Sequence, residues 1–429
     1  MSETVRRLGI LAGGGVLPRE IADSAARRGI PVSIVAIDGE ADADFSGYAL
    51  TRVNWGQIGT MVRALKDARV TDLVIVGRVH RPELWGLKPD LGFFRYLPKI
   101  VKIVAAGGDD GVLRRVVRFF ELQGLRVIGP GDAAPELVIG EGPIGSARAT
   151  AADQADIQKG LRLIHALGAF DIGQCVIVSA GQIVTIEGAE GTDRMIDRAA
   201  QNRPERGPLG GVLVKRPKPG QEIRIDMPAI GPATVTKVRD AGLAGIAVEA
   251  GKVLVAERAE TLSRANGANI FVEGVGDRDA SDEPPVRFRP RDFAMPFRQL
   301  GRIAAEEHAV HDAIKGLATL SALEPFRCGR GAVVVRNHVL AVESGEGVDA
   351  TVARASGLRQ WASITRRRRG VAALRDIADL TPSVIAAVAS AGYAGIAVAR
   401  TTGEDTLAPR IAEADKEGVF ILLRAEGTT

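Results

Sequence analysis

Apolar positions in the first part of the chain fall in short blocks. Residues 8–12 (Leu-Gly-Ile-Leu-Ala) form a strand-like run that ends in three glycines, and 17–28 carries its apolar residues at helical spacing. The strand pattern returns at 31–37, 72–76 and 125–128, and the helical one at 58–68 and 111–123. Strands separated by helices of this length predict a parallel sheet with helices on both faces, an α/β nucleotide-type domain over residues 1–148. Further on, 153–167 reads as a helix, and 174–178 and 183–186 as strands joined across Ala180-Gly181. Residues 277–300 open with charge and proline and no apolar period, which predicts an exposed linker.

The blocks after residue 148 occur twice. Asp156-Ile-Gln-Lys-Gly-Leu matches Asp312-Ala-Ile-Lys-Gly-Leu, and Glu187-Gly-Ala-Glu-Gly-Thr-Asp matches Glu343-Ser-Gly-Glu-Gly-Val-Asp, both at an offset of 156 residues. Ala241-Gly-Leu-Ala-Gly-Ile-Ala-Val matches Ala391-Gly-Tyr-Ala-Gly-Ile-Ala-Val at an offset of 150. The ordered matches predict a duplicated α/β domain, 149–276 and 301–429, with six residues missing from the second copy between 350 and 361.

Composition narrows the class. A chain of 429 residues exceeds one ordinary core. A formal net charge of +4 argues against a dedicated nucleic-acid binder, so no nucleic-acid partner is expected. Cys175 and Cys328 give neither a disulfide framework nor zinc spacing, which suits a reducing, cytoplasmic setting. No signal peptide is expected ahead of the first strand, and no apolar stretch approaches the roughly 20 residues of a membrane span. His308 and His311 could share a helix face, which a solvated surface explains better than a metal.

Four segments could carry chemistry. Gly13-Gly14-Gly15 lies between a strand and a helix, where backbone N–H groups can approach phosphate; a plain tight turn has the same composition. Glu187, Glu190 and Asp193 place carboxylates in a glycine-rich turn that suits Mg²⁺, unless Asp193 caps a helix beginning at Arg194. Residues 215–226, from Lys215 through Lys218, Gln221 and Arg224 to Asp226, mix cations for phosphate oxygens with a terminal carboxylate, as does a solvated loop. Last, Trp85, Phe93, Phe94, Tyr96, Phe119 and Phe120 interleave with Arg81, Lys88, Arg95 and other cations, a pattern of either core packing or an acylated, anionic ligand.

At these residues the chain resembles the LpxI family of UDP-2,3-diacylglucosamine pyrophosphatases. The matching segments run in family order over residues 6–276: Ile10-Leu-Ala-Gly-Gly-Gly-Val-Leu-Pro, Gly77-Arg-Val-His-Arg-Pro, Gly108-Asp-Asp-Gly-Val-Leu, the acidic turn at 187–193 and residues 218–231. The resemblance implies an α/β protein with a Rossmann-like N-terminal parallel-sheet domain followed by two homologous catalytic-type domains. It implies Mg²⁺-dependent attack of water on the α-phosphorus of UDP-2,3-diacylglucosamine, with Mn²⁺ as an alternative ion. The products would be UMP and 2,3-diacylglucosamine 1-phosphate, an intermediate of lipid A. The family's critical aspartate falls on Asp226, as metal ligand or as water-orienting base, with Lys215 and Arg224 beside it. Gly13, Gly14, Gly15, Arg78, Arg81, Asp109, Asp110, Lys218 and Gln221 would contact the UDP-diacylglucosamine-type substrate. Glu187, Asp193 and Asp226 would hold the metal. Peripheral contact with the inner face of the membrane follows from the acylated substrate.

The C-terminal third departs from the family pattern. Sequence matching sets Asp376 at the position of Asp226 and Leu374 at that of Arg224. The second copy is therefore expected to be catalytically silent. It would serve a homodimer or complete a pseudo-dimer within one chain.

Overall fold

The computed structural model describes residues 6–80, 89–94, 96, 109–201, 210–276, 288–293, 295–358, 368–401 and 407–425. The chain packs as two compact units. Met1–Ile144, Gln221–Ala233 and Ala250–Arg264 make the first; Gly145–Gly220, Thr234–Glu249 and Ala265–Thr429 make the second. The division is therefore not a simple cut near 148: two segments from within 149–276 pack with the N-terminal sheet.

Five strands form that sheet: β1 (Leu8–Ala12), β2 (Val32–Ile37), β3 (Ala49–Val53), β4 (Asp72–Val76) and β5 (Arg126–Val127). All four pairings are parallel, in the order β3-β2-β1-β4-β5. Side-chain alternation sends Ile10, Ala12, Ile34 and Ala36 to a core with helix Leu17–Arg27, and Leu11, Val35 and Ile37 to one with helices Ile58–Asp67 and Asp109–Glu121. Sequence pattern missed β3, because Ala-Leu-Thr-Arg-Val is half exposed and lacks an apolar run.

The second unit opens after β6 (Gly142–Pro143) with helix Ala151–Gly168. That helix starts two residues before the predicted 153, because Thr150 caps it: the Thr150 hydroxyl accepts from Asp153 N at 3.2 Å, and the Asp153 carboxylate accepts in turn from Thr150 N at 2.8 Å. There follow β7 (Cys175–Ser179), β8 (Gln182–Ile186), helix Thr192–Gln201, β9 (Val212–Lys215), β10 (Ala229–Ile230), helix Pro232–Asp240, β11 (Gly245–Glu249), β12 (Leu254–Val255), helix Arg258–Gly267 and β13 (Phe271–Val275). Of these, β10 and β12 pair with each other in the first unit. In the second unit β13, β11, β9, β7 and β8 lie side by side, parallel from β13 to β9 and antiparallel from β9 to β8.

The remaining chain builds the same layer again. After β14 (Phe297–Leu300) and helix Glu307–Ala322 come β15 (Gly331–Val335), β16 (His338–Val342), helix Val348–Ser356, β17 (Val371–Asp376), helix Pro382–Ser390, β18 (Gly395–Arg400), helix Leu407–Glu417 and β19 (Phe420–Arg424). Their order is β19-β18-β17-β15-β16, with the same strand directions. One continuous core joins the two layers. It takes Leu161, Leu167, Val176 and Val214 from the first copy and Leu317, Leu320, Ala332 and Val371 from the second.

The repeated motifs explain themselves as hairpin clamps. Asp156 accepts from Gly181 N at 2.7 Å and Lys159 donates to Gly181 O at 2.6 Å. In the second copy Asp312 accepts from Asn337 N at 2.6 Å and Lys315 donates to Asn337 O at 2.7 Å. Both turns need positive φ, at Ala180 and Gly181 and at Arg336 and Asn337, and the clamp fixes them there.

Strand pairing corrects the sequence matching. Val248 in β11 lies opposite Lys215, and Val398 in β18 opposite Leu374; Cys175 in β7 lies opposite Lys215, and Gly331 in β15 opposite Leu374. Leu374 thus takes the place of Lys215, not of Arg224, and Asp376 takes that of Pro217. From Lys215 to the helix at Pro232 the chain advances 17 residues, but from Leu374 to Pro382 only 8. What the second copy lacks is the loop that carries Asp226.

Candidate functional site

Asp226 sits on that loop, within the first unit. The loop turns tightly, with Ile225 N and Asp226 N both donating to Glu222 O at 3.0 Å. Ile225 packs against the core under helix Asp109–Glu121 and Met227 against the core of the opposite face, which anchors the loop on both sides of Asp226. Asp226 itself is exposed, while Gln221 is buried. The Gln221 side-chain amide donates to Asp226 Oδ2 at 2.6 Å and to its carbonyl at 2.7 Å. One amide therefore fixes both the backbone and the carboxylate of an exposed aspartate, which pre-orients it for chemistry.

Arg224 shares the turn. Its guanidinium forks onto Glu222 at 2.7 and 2.6 Å and reaches Glu121 at 3.1 Å. The fork holds the Glu222 carboxyl below the usual range, against a smaller effect of burial, and raises the guanidinium further above its own. Arg224 thus stands on two carboxylates, and would have to exchange one of them to meet phosphate.

At the C-terminal ends of β1 and β4 the strand order reverses, the crevice where open α/β sheets hold ligands. Gly13-Gly14-Gly15 and Arg78 lie there. Gly13 N donates to Val76 O at 2.9 Å, Gly14 N to Arg78 O at 2.8 Å and Gly15 N to Asp42 Oδ1 at 2.6 Å. A Cβ on Gly13 would stand 2.5 Å from Arg78 O, and one on Gly77 would stand 2.6 Å from the Gly13 carbonyl carbon. Glycine is required here because two backbones touch. In this structure all three amides donate within the fold, the third to the side chain of Asp42. Arg78 is exposed beside them. Helix Asp109–Glu121 opens at Asp109 and Asp110, whose side chains lie outside the described residues, as do Arg81 and Trp85.

Lys215, Lys218, Glu187 and Asp193 belong to the second unit. Glu187 is buried: Oε2 accepts from Gln174 N at 2.8 Å and Oε1 from the Thr192 hydroxyl at 2.9 Å. Lys215, buried at the end of β9, donates to the same hydroxyl at 3.2 Å. Burial pushes the Glu187 carboxyl up, opposed by Lys215 and by the two donors. With both oxygens occupied beside a buried cation, Glu187 does not fit a Mg²⁺ ligand. Asp193 is exposed in the first turn of a helix that starts at Thr192, so it is not the cap of one starting at Arg194. Glu190 pairs with Arg198 and Arg354. Among the described residues no three His, Cys, Asp or Glu side chains gather around a common point. Of the three carboxylates expected to hold a metal, Asp193 and Asp226 are exposed and Glu187 is buried. Lys218 pairs with Asp171 at 2.5 Å.

Of the aromatic stretch, Phe119 and Phe120 are core, and Tyr96 meets Phe119 edge-on at 5.1 Å. Leu91 and Phe94 are exposed. His308 pairs with Glu306.

The fold and site define a class, that of α/β proteins with a Rossmann-type strand order and an oriented aspartate on a loop folded back against it. The profile of the LpxI N-terminal domain matches residues 7–137, and that of the LpxI C-terminal domain matches twice, at 140–273 and 298–422. The chain belongs to the LpxI family. It is similar to the UDP-2,3-diacylglucosamine pyrophosphatase LpxI of Caulobacter vibrioides (strain ATCC 19089 / CIP 103742 / CB 15), with 36% identity over 281 residues, 64% of this chain and 99% of that relative. Among solved structures, a murein peptide ligase Mpl from Psychrobacter arcticus 273-4 aligns over 98% of this chain and 91% of its own at 10% identity and a TM-score of 0.18, too slight a likeness to carry an argument.

Proposed function

We propose that the chain hydrolyses UDP-2,3-diacylglucosamine, water attacking the α-phosphorus to release UMP and 2,3-diacylglucosamine 1-phosphate for lipid A synthesis. The observation that carries this reading is the match to a pyrophosphatase of that name over 99% of the relative's length. The local geometry agrees with it. Asp226 is an exposed carboxylate held by a buried amide, suited to orient a water or to take one position on a divalent cation. Mg²⁺, or Mn²⁺ in its place, would be held by Asp226 together with substrate phosphates and water, and would offset phosphate charge. Arg78 offers an exposed cation, and Arg224 a second one if it exchanges Glu121 for phosphate. Lys215 supports the start of the loop from its bond to Thr192. Leu91 and Phe94 present apolar surface of the kind acyl chains need. No helix among the described residues is long and apolar enough to cross a membrane. The acylated substrate of this reading would be met by peripheral contact at the inner face of the membrane, from the cytoplasm.

The test is UMP release from UDP-2,3-diacylglucosamine with Mg²⁺. Asp226→Asn should lower it by about 10²-fold or more while substrate binding persists. Wild-type protein that binds the substrate and releases no UMP would mark a binder and end the enzymatic reading.

A further inference from the structure

We infer that the C-terminal copy is a covalently attached substitute for a second subunit, so that this chain is complete as a monomer. What the second copy keeps is packing; what it drops is chemistry. It retains the hairpin clamp of Asp312 and Lys315 and the strand tie of Glu343 to Arg330 N, the counterpart of Glu187 to Gln174 N. It lacks the Asp226 loop, and Val348 and Leu374 replace Thr192 and Lys215.

The face it keeps meets the first copy in a ring of four charges. Arg198 donates to its own Glu190 at 2.8 Å and approaches Glu346 at 3.7 Å. Arg354 donates to its own Glu346 at 2.6 Å and to Glu190 at 3.1 Å. Both pairs are related by the repeat offset of 156, and each arginine also caps the end of its own preceding strand, at Ile186 O and Val342 O. The four charged residues thus occupy equivalent places in the two copies, as across an isologous two-fold contact, although Arg198 alone gains a bond to Ser344 Oγ, where the first copy has Gly188. The backbones close in beside the ring: Ala189 N donates to Leu340 O at 3.0 Å, and a Cβ on Gly188 would stand 2.5 Å from that oxygen. Behind it lies the apolar core that the two copies share. The Caulobacter relative aligns to 64% of this chain over 99% of its own length, about the length of one N-terminal and one C-terminal domain.

Light scattering on the full chain tests this. A mass near 45.2 kDa is expected throughout, and a mass that rises toward twice that value overturns the inference. Thermal midpoints of wild type and Arg198→Ala should be the same at about 1 µM as at about 100 µM, since both partners sit on one chain. A midpoint that climbs with concentration would mean the contact forms between chains, and would refute it. Neither readout involves substrate, so the inference fails or stands apart from the pyrophosphatase reading.

Discussion

Replacing Arg198 by alanine should be among the most damaging single changes to the second unit. Its side chain is about nine-tenths buried and bonds Ser344 Oγ at 2.9 Å, Ile186 O at 2.9 Å and Glu190 at 2.8 Å. Truncation removes the donor to Ile186 O and one of two partners of Ser344 Oγ, which keeps its bond to Glu346 at 3.3 Å, and it leaves Glu190 and Glu346 to share Arg354 alone, two buried carboxylates against one cation. Breaking a buried ion pair costs roughly 3–5 kcal/mol, and because Arg354 remains we place the cost at about 3 kcal/mol. In a domain of this size about 1 kcal/mol moves the thermal midpoint roughly 2–4 °C, so calorimetry should read a fall of about 6–12 °C. Arg239→Ala is the control, since its pair with Asp240 is exposed and worth no more than about 1 kcal/mol. The pH dependence has a definite sign. Burial works against ionisation of Glu346, yet Arg198 and Arg354 outweigh it and hold the carboxyl below its ordinary value. A lowered carboxyl contributes stability that is present above the unfolded pKa and lost as pH falls through the folded one. The gap between wild type and Arg198→Ala should therefore be full at neutral pH and close below about pH 4. A midpoint shift no larger than that of Arg239→Ala, or a gap that widens in acid, would refute the reasoning.

Two further outcomes bear on the site. Gln221→Ala removes the amide that orients the Asp226 carboxylate, and kcat should fall about 10–100-fold with KM little changed, the worth of a charge-assisted hydrogen bond. Gln221→Glu sets a second carboxylate against Asp226 and should also move the acidic limb of the pH–rate profile upward; unchanged kcat in both variants would remove Gln221 from the mechanism. Asp376→Ala should leave UMP release at the wild-type level, because Asp376 pairs with Arg400 and caps a turn at Ala378; loss of activity would show that the second copy takes part.

Much was legible in the sequence because it rests on local rules. Alternating apolar blocks and glycine turns determined the parallel N-terminal sheet, and the 156-residue offset pointed to a second layer of the same kind. The ordered motifs led to the LpxI family, and they singled out Asp226. What only the tertiary structure decided is what each residue faces. The acidic turn reads as a metal site in sequence. In space Glu187 ties a strand, Glu190 joins a buried charge ring and Asp193 lies on a surface helix. The glycine triplet reads only as a turn open to phosphate, and the fold supplies what its amides meet, Val76, Arg78 and Asp42. Asp376 lines up with Asp226 in sequence, but strand pairing sets it at Pro217, since a gap can slide along a sequence and cannot slide along a hydrogen-bonded ladder. Composition and spacing specify which groups a segment carries, while their partners come from segments far along the chain, and those are fixed only when the layers pack.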